Sequence, residues 1–131
     1  MAQGALREAD PELQACIDEC LICERICLET MSHCLELGGG HAEAAHIRAL
    51  LDCAEICATS AGFMLRGSPL HGAVCAVCAE ACERCAESCE SMPEVDQQME
   101  ACAETCRRCT ESCRRMAAHA ASGLGAIGSP A

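Results

Sequence analysis

The sequence is nearly without aromatic residues: among 131 there is one Phe, and there is no Trp or Tyr. A core cannot then be built around large rings, and it must be filled by Leu, Ile, Ala, Met and whatever else is apolar and small. Basic residues are also few. Nine against 20 acids give a formal charge of −11, which argues against nucleic acid and anionic membranes as partners, because both repel an acidic surface. Long apolar runs are missing too, so no transmembrane segment is expected. The opening MAQGALREADPELQ lacks the basic and then apolar character of a signal peptide, which leads to the expectation of a cytosolic protein. Nor do the residues spell HExxH, a phosphate loop, a nucleotide fingerprint or a Ser-His-Asp grouping, so an enzyme is not expected.

Cysteine, by contrast, is present 16 times. Between Val74 and Ser91 cysteines stand at 75, 78, 82, 85 and 89, in steps of 3 and 4 that mark one face of an α-helix. The intervening residues carry no Gly or Pro and suit a helix. The stripe that would ordinarily hold Leu or Ile is here a lane of thiols roughly 21 Å long.

The same alternation runs through the rest of the chain. Asp10 and Pro11 form a helix start signal, and a first helix is expected from there to about Leu37, stopped by Gly38-Gly39-Gly40. Its seam carries Cys16, Cys20, Cys23, Cys27 and Cys34, with Thr30 in the missing position. A second helix is expected from His41 to Leu65, with the seam His46, Leu50, Cys53, Cys57, Ser60 and Met64. The third extends from His71 through the five cysteines to Met92 and is stopped by Pro93. The fourth starts near Val95 or Asp96, carries Met99, Cys102, Cys106, Cys109, Cys113 and Met116, and fades after His119. The reading divides the chain into a lead-in (1–9), a bundle (10–120) and a flexible Gly/Ala/Ser/Pro-rich tail (121–131).

Long helices joined by short Gly- or Pro-marked turns predict an all-α, antiparallel up-down-up-down four-helix bundle with a cysteine-lined core. Every cysteine falls on a seam position, where about two in seven would do so by chance. Within a lane, residues four apart are about 5–6 Å apart at Cβ, close enough for two sulfurs to grip one ion. The CxxxC pairs are Cys16/Cys20, Cys23/Cys27, Cys53/Cys57, Cys78/Cys82, Cys85/Cys89, Cys102/Cys106 and Cys109/Cys113.

Soft thiolates select Cu(I), Zn(II) or iron–sulfur clusters. Each Cu(I) replaces one thiol proton, so a loaded lane stays near neutral. Zn(II) in four-thiolate sites leaves a charge of −2 each, costly when such sites are stacked in a dry interior. Cu(I), in multiple ions per chain, is the better fit, and a thiolate-rich zinc buffer or general metal-detoxification protein is the alternative. The spacing is helical rather than the loop pattern of a cluster-binding ferredoxin, and i,i+4 cysteines make poor disulfides.

Antiparallel packing would gather Met64, His71 and Met116 at one mouth of the bundle, with His119 close by. It would gather His46, Met92 and Met99 at the other, with Met31, His33 and His41 near. Thioethers and imidazoles outside a thiolate core could pass ions inward. Their competing role is to fill tapered bundle ends, and for His33 and His41, beside the seam, a solvated surface role is the expectation. Off the seam, Ile17, Leu21, Leu28 and Leu35, and Ile47, Leu51, Ala54, Ala58 and Leu65, form second apolar stripes that suit helix packing or a subunit interface. Glu83, Arg84, Glu87, Glu104, Arg107 and Arg108 read as a salt-bridging surface.

The cysteine-lined four-helix pattern, with CxxxC and CxxC alternating from about Pro11 to His119, resembles the cytosolic copper storage proteins. The resemblance implies a homotetramer of bundles, many Cu(I) ions inside each, and all 16 cysteines as ligands. It further implies that His and Met at one mouth admit copper, favouring Met64, His71, Met116 and His119; the expected donor of the ion is a copper chaperone or small chelator. Leu50, Ser60 and Thr30 interrupt the lanes and depart from the family pattern.

Overall fold

The computed structural model describes residues 10–128, and side chains through Ala120. The chain forms four helices and one 3₁₀ turn: α1 (Pro11–Leu37), the turn Gly39–Ala42, α2 (Ala44–Leu65), α3 (His71–Glu90) and α4 (Gln97–Gly128). Among the described residues there is no strand, and no helix is long and apolar enough to cross a membrane.

Each helix starts and stops where local chemistry asks. The Asp10 carboxylate accepts the Leu13 N–H at 3.1 Å, with Pro11 at the first helical position. α1 ends at Gly38 and Gly39, whose φ of 73° and 56° suit only a residue without Cβ. The same chain reversal moves the start of α2 away from the expected His41. Gly39–Ala42 closes as a 3₁₀ turn, Glu43 is extended, and the α-helix begins at Ala44. α3 ends at Glu90, before Met92, in the approach to Pro93. Asp96 caps α4 by accepting the Met99 N–H at 3.0 Å. That helix runs past His119 to Gly128, because the alanines at 117, 118, 120 and 121 are strong helix formers and no Pro intervenes. It thus occupies most of the stretch expected to be a flexible tail; residues 1–9 and 129–131 lie outside the described part.

Cross-helix contacts fix the directions. Along α1, Cys16, Cys23 and Cys27 meet Cys113, Cys106 and Cys102 of α4 in turn. Along α2, His46, Cys53, Cys57 and Ser60 meet Ser88, Cys82, Cys78 and Cys75 of α3. Cys23 and Cys34 of α1 meet Cys53 and His46 of α2. Arg107 and Arg114 of α4 pair with Glu90 and Glu83 of α3. All four neighbouring pairs are therefore antiparallel, around the cycle α1-α2-α3-α4.

The paired arginines of α4 sit astride this arrangement. Arg107 and Arg114, seven apart, reach α3, while Arg108 and Arg115 reach Glu19 and Glu12 of α1. Exposed pairs contribute little each, about 0–1 kcal/mol. Their effect is to favour one pairing of helices over others, since acids on the same faces would repel. At one end α3 and α4 approach so closely that a Cβ on Gly72 would collide with the Ala120 side chain.

Of the second apolar stripes, Ile17 and Ala54 are buried within the bundle. Leu21, Leu28, Leu35, Leu51 and Leu65 remain exposed at 38–52%, an apolar surface that the described residues leave uncovered.

Candidate metal centre

The interior consists of sulfur. All 16 cysteines have 0% exposure and all are free thiols. Small apolar thiols are content in a core, so the empty bundle can hold them without charge.

They are arranged in layers across the four helices. Two central layers have a cysteine from every helix. One is Cys20, Cys57, Cys78 and Cys109, with Cys20–Cys109 and Cys57–Cys78 both at 3.7 Å. The next is Cys23, Cys53, Cys82 and Cys106, with Cys53–Cys82 at 3.5 Å and Cys23–Cys53 and Cys23–Cys106 at 3.7 Å. Outside these, the interruptions noted in the sequence take their places. Ser60 completes the layer of Cys16, Cys75 and Cys113, its hydroxyl 3.3 Å from Cys75 Sγ. On seam register, buried Leu50 fills the fourth position beside Cys27, Cys85 and Cys102. Thr30 is buried one step further on, and its hydroxyl accepts a hydrogen bond from Gln98 at 2.9 Å.

Several sets of four sulfurs lie within 4.8 Å of one another: Cys20/Cys78/Cys109/Cys113, Cys23/Cys53/Cys57/Cys82, Cys23/Cys27/Cys53/Cys106, Cys27/Cys85/Cys102/Cys106 and Cys57/Cys78/Cys82/Cys109. In each of these a CxxxC pair from one helix is joined by single cysteines from two others. The pairing of thiols four apart, read from the sequence, is thus the repeated unit. Cys23, Cys27, Cys53, Cys57, Cys78, Cys82, Cys106 and Cys109 each belong to two of these sets, so one sulfur is shared between two neighbouring sets.

Packing thiols this closely changes their acidity. Hydrogen bonds from Cys109 and then Cys113 pull Cys20 down, and hydrogen bonds from Cys113 and then Cys16 lower Cys75 to about 4. Cys57 and Cys106 are driven the opposite way, first by their hydrogen bonds to Cys109 and Cys102 respectively. Cys34, which has no thiol partner, is pushed up to about 11 by burial first and by the Asp96 charge second. Neighbouring thiols therefore share hydrogen bonds that move their acidities in opposite directions.

The expected mouth residues divide into three kinds. Met64, Met99 and Met116 are buried and close the ends of the sulfur column. His46 is only 2% exposed and reaches further in than a mouth position implies: its Nε2 is 3.4 Å from Cys34 Sγ and its Nδ1 is 2.7 Å from Ser88 Oγ. Burial holds its pKa below the usual imidazole value. His71 is partly buried, and its Nδ1 donates to the Ser68 carbonyl at 2.9 Å, leaving the Nε2 lone pair free for an ion. His119 is not part of the closure; its side chain is 62% exposed, on the outer surface, 3.4 Å from Glu12. Met92 is partly buried in the α3–α4 loop, and Met31 is partly buried against the core.

His33 and His41, assigned to the surface by their off-seam positions, are both partly buried and hold that loop down. His33 Nε2 is 2.6 Å from the Asp96 carboxylate, and His41 Nε2 donates to the Glu94 carbonyl at 3.0 Å. Neither these latches nor Ser88 was legible beforehand. Ser88 precedes a seam cysteine, and nothing in the periodicity distinguishes it from any polar surface residue.

Comparison with known proteins agrees with this geometry. Solved structures with the same fold include Nmul_A1745 from Nitrosospira multiformis, at 55% identity with a TM-score of 0.78, covering 83% of this chain and 97% of that one. A Cu(I)-bound copper storage protein, BsCsp3, is 36% identical with a TM-score of 0.74, over 81% of this chain and 98% of that one. Apo-CSP3 from Bacillus subtilis is 36% identical with a TM-score of 0.71, over 79% and 97%. An uncharacterized cysteine-rich protein of Bacillus subtilis (strain 168), YhjQ, is 37% identical over 67 residues; the match covers 51% of this chain and spans 62% of that relative's length. Residues 9–118 match the copper storage protein (Csp) family, and with the sulfur-filled bundle this places the chain in it: the protein is a member of the copper storage protein family.

Proposed function

We propose that this protein stores and sequesters Cu(I) inside its bundle, with all 16 cysteines as ligands. One observation carries the reading: the sulfurs are wholly buried, and thirteen of them are linked in a continuous stack whose helix-to-helix contacts are 3.5–3.9 Å. No ordinary core requires that, and a line of bridged Cu(I) ions uses all of it.

Each ion that binds displaces a proton from a thiol and is held by a CxxxC pair and a sulfur from a neighbouring helix. Exchange of one proton for one monovalent ion keeps the interior near neutral. Filling the sets of four with Zn(II) would leave −2 on each in a space where the sets share sulfurs, and the repulsion disfavours it. Loading ties helices together, so bound metal stabilises the fold.

Copper reaches the column through an end, with Met64, His71 and Met116 as the favoured route and His46, Met92 and Met99 lining the other. His119, on the outer surface, would act only as a first point of capture. A copper chaperone or small chelator supplies the ion. The exposed leucines of α1 and α2 suit a homotetramer interface. The free thiols favour storage in the reducing cytoplasm.

Anaerobic titration with Cu(I) against a competing chelator, run beside Zn(II), tests this. Capacity should be on the order of one ion per cysteine, since bridging lets each thiolate serve two ions. Saturation at about one to four ions would indicate trafficking instead.

A further inference from the structure

One sulfur is set apart from the rest. Thirteen cysteines form a single network through Sγ–Sγ contacts of 4.0 Å or less. Cys75 and Cys89 flank it, close enough to Cys113 and Cys102 respectively for those neighbours to shift their acidity. Cys34 does not join. Thr30 occupies the seam position between it and Cys27, and its hydrogen-bond partner is an imidazole, His46 Nε2, at 3.4 Å. The other ring nitrogen is anchored at 2.7 Å by Ser88 Oγ. Ser88 in turn lines an open groove between α2 and α3, together with Arg48, Asp52, Glu80 and Arg84.

We infer that Cys34 and His46 form a separate Cu(I) site, two-coordinate through Sγ and Nε2, which holds the most readily exchanged ion and is reached from the side of the bundle at Ser88. The inference rests on the storage reading above and adds a distinct outlet to it. Metal–sulfur and metal–imidazole bonds of about 2.3 and 2.0 Å sum to about 4.3 Å. The two donor atoms therefore need to part by less than about 1 Å to admit an ion on the line between them. In the tautomer that gives its Nδ1–H to Ser88, the His46 Nε2 lone pair is aimed at Cys34, the arrangement by which an outer partner orients a histidine ligand. Within the stack an ion has alternative thiolates on several sides and stays when one contact opens. No second sulfur lies within 4.0 Å of Cys34, whose contact is the imidazole, so an ion there fills last and leaves first. Ser88 connects the two: it lines the α2/α3 groove and its hydroxyl touches the imidazole, so an incoming ligand in the groove meets His46 through it.

Full-length protein labelled with ¹⁵N-histidine, titrated anaerobically with Cu(I) alone, tests the assignment without any substitution. The His46 Nε2 resonance should shift late in the titration, after the cysteine absorption has nearly saturated. An unchanged resonance at full loading would overturn the site. His46→Gln should bind about one ion fewer and lose a fast phase of about one ion per chain when a bathocuproine-type chelator is added to the loaded protein. Unaltered stoichiometry together with an unaltered fast phase would also overturn it. Should that variant not fold, Ser88→Ala serves: it removes only the anchor and should weaken the last ion by about tenfold or more, and an unweakened last ion would count against the inference. A chain that takes up only a few ions while His46 Nε2 still shifts would retain this site and remove the storage reading.

Discussion

The middle of the bundle and its two ends are built from the same helices to different specifications. In the middle, two successive layers take a cysteine from every helix, and each sulfur has neighbours above, below and across. Toward the ends the sulfur thins out. Ser60 and Leu50 each replace one cysteine of a layer, then Thr30, His46 and the methionines take over. A stack of bridging thiolates needs high sulfur density to hold ions at low net charge. In the proposed storage role an end must do something else: exclude water from the column and yet let ions pass. Thioethers and imidazoles do both, because they are apolar enough to pack and can bind Cu(I) without giving up a proton.

That contrast can be broken most severely at the centre. Replacing Cys23, Cys53, Cys82 and Cys106 together by Ser should lower Cu(I) capacity by on the order of four ions, while the empty protein keeps its helical circular dichroism. A loss of all binding would mean that the layers do not act as repeated units.

The opposite manipulation sharpens the comparison. Leu50→Cys would complete the layer of Cys27, Cys85 and Cys102, raising capacity by about one ion. It would also destabilise the empty chain by about 1–3 kcal/mol, because a buried Leu is cut down to a smaller side chain. Chemical denaturation of the copper-free variant and metal analysis of the loaded one read these two effects separately.

A third expectation concerns pH and the end that holds Cys34. Its thiol in the folded chain is raised to about 11 from the ordinary 9.0, by burial first. Folding therefore favours the protonated form, and its contribution is complete below pH 9 and is lost as pH rises toward 11. Copper-free protein should lose stability across this window in denaturant melts. Cu(I)-loaded protein should lose less, because the metal has already displaced the proton.

The smallest effect belongs to the exterior. Arg107→Ala or Arg114→Ala removes an exposed pair with Glu90 or Glu83 and should change stability by less than about 1 kcal/mol. Copper capacity should not change at all.

The sequence carried the centre of this molecule in full. Cysteines at steps of 3 and 4 can only line one face of a helix, and four such faces must meet, so the buried column and its CxxxC units were legible from spacing alone. The ends were less so, because they depend on how loops close. His33 and His41 lie off the seam and read as surface, yet the α3–α4 loop folds back to meet both. His119 follows Met116 closely in sequence but is on the outer surface beside Glu12. Leu50, Ser60 and Thr30 read as defects in the lanes; in three dimensions they mark where the dense stack gives way to its closures. Ser88 could not have been found, since its role exists only through His46 on another helix. The Gly-Gly-Gly stop after α1 was plain, but whether the next residues resumed as α-helix or as a 3₁₀ turn depended on the reversal itself.

The most direct test of the central claim is the anomalous scattering at the copper edge from crystals of the protein loaded anaerobically with Cu(I). Copper peaks should form a line along the bundle axis, each between sulfurs of a CxxxC pair and of adjoining helices, densest at the layers of Cys20 and Cys23. Peaks confined to surface carboxylates and histidines, with an empty or disulfide-linked interior, would contradict it.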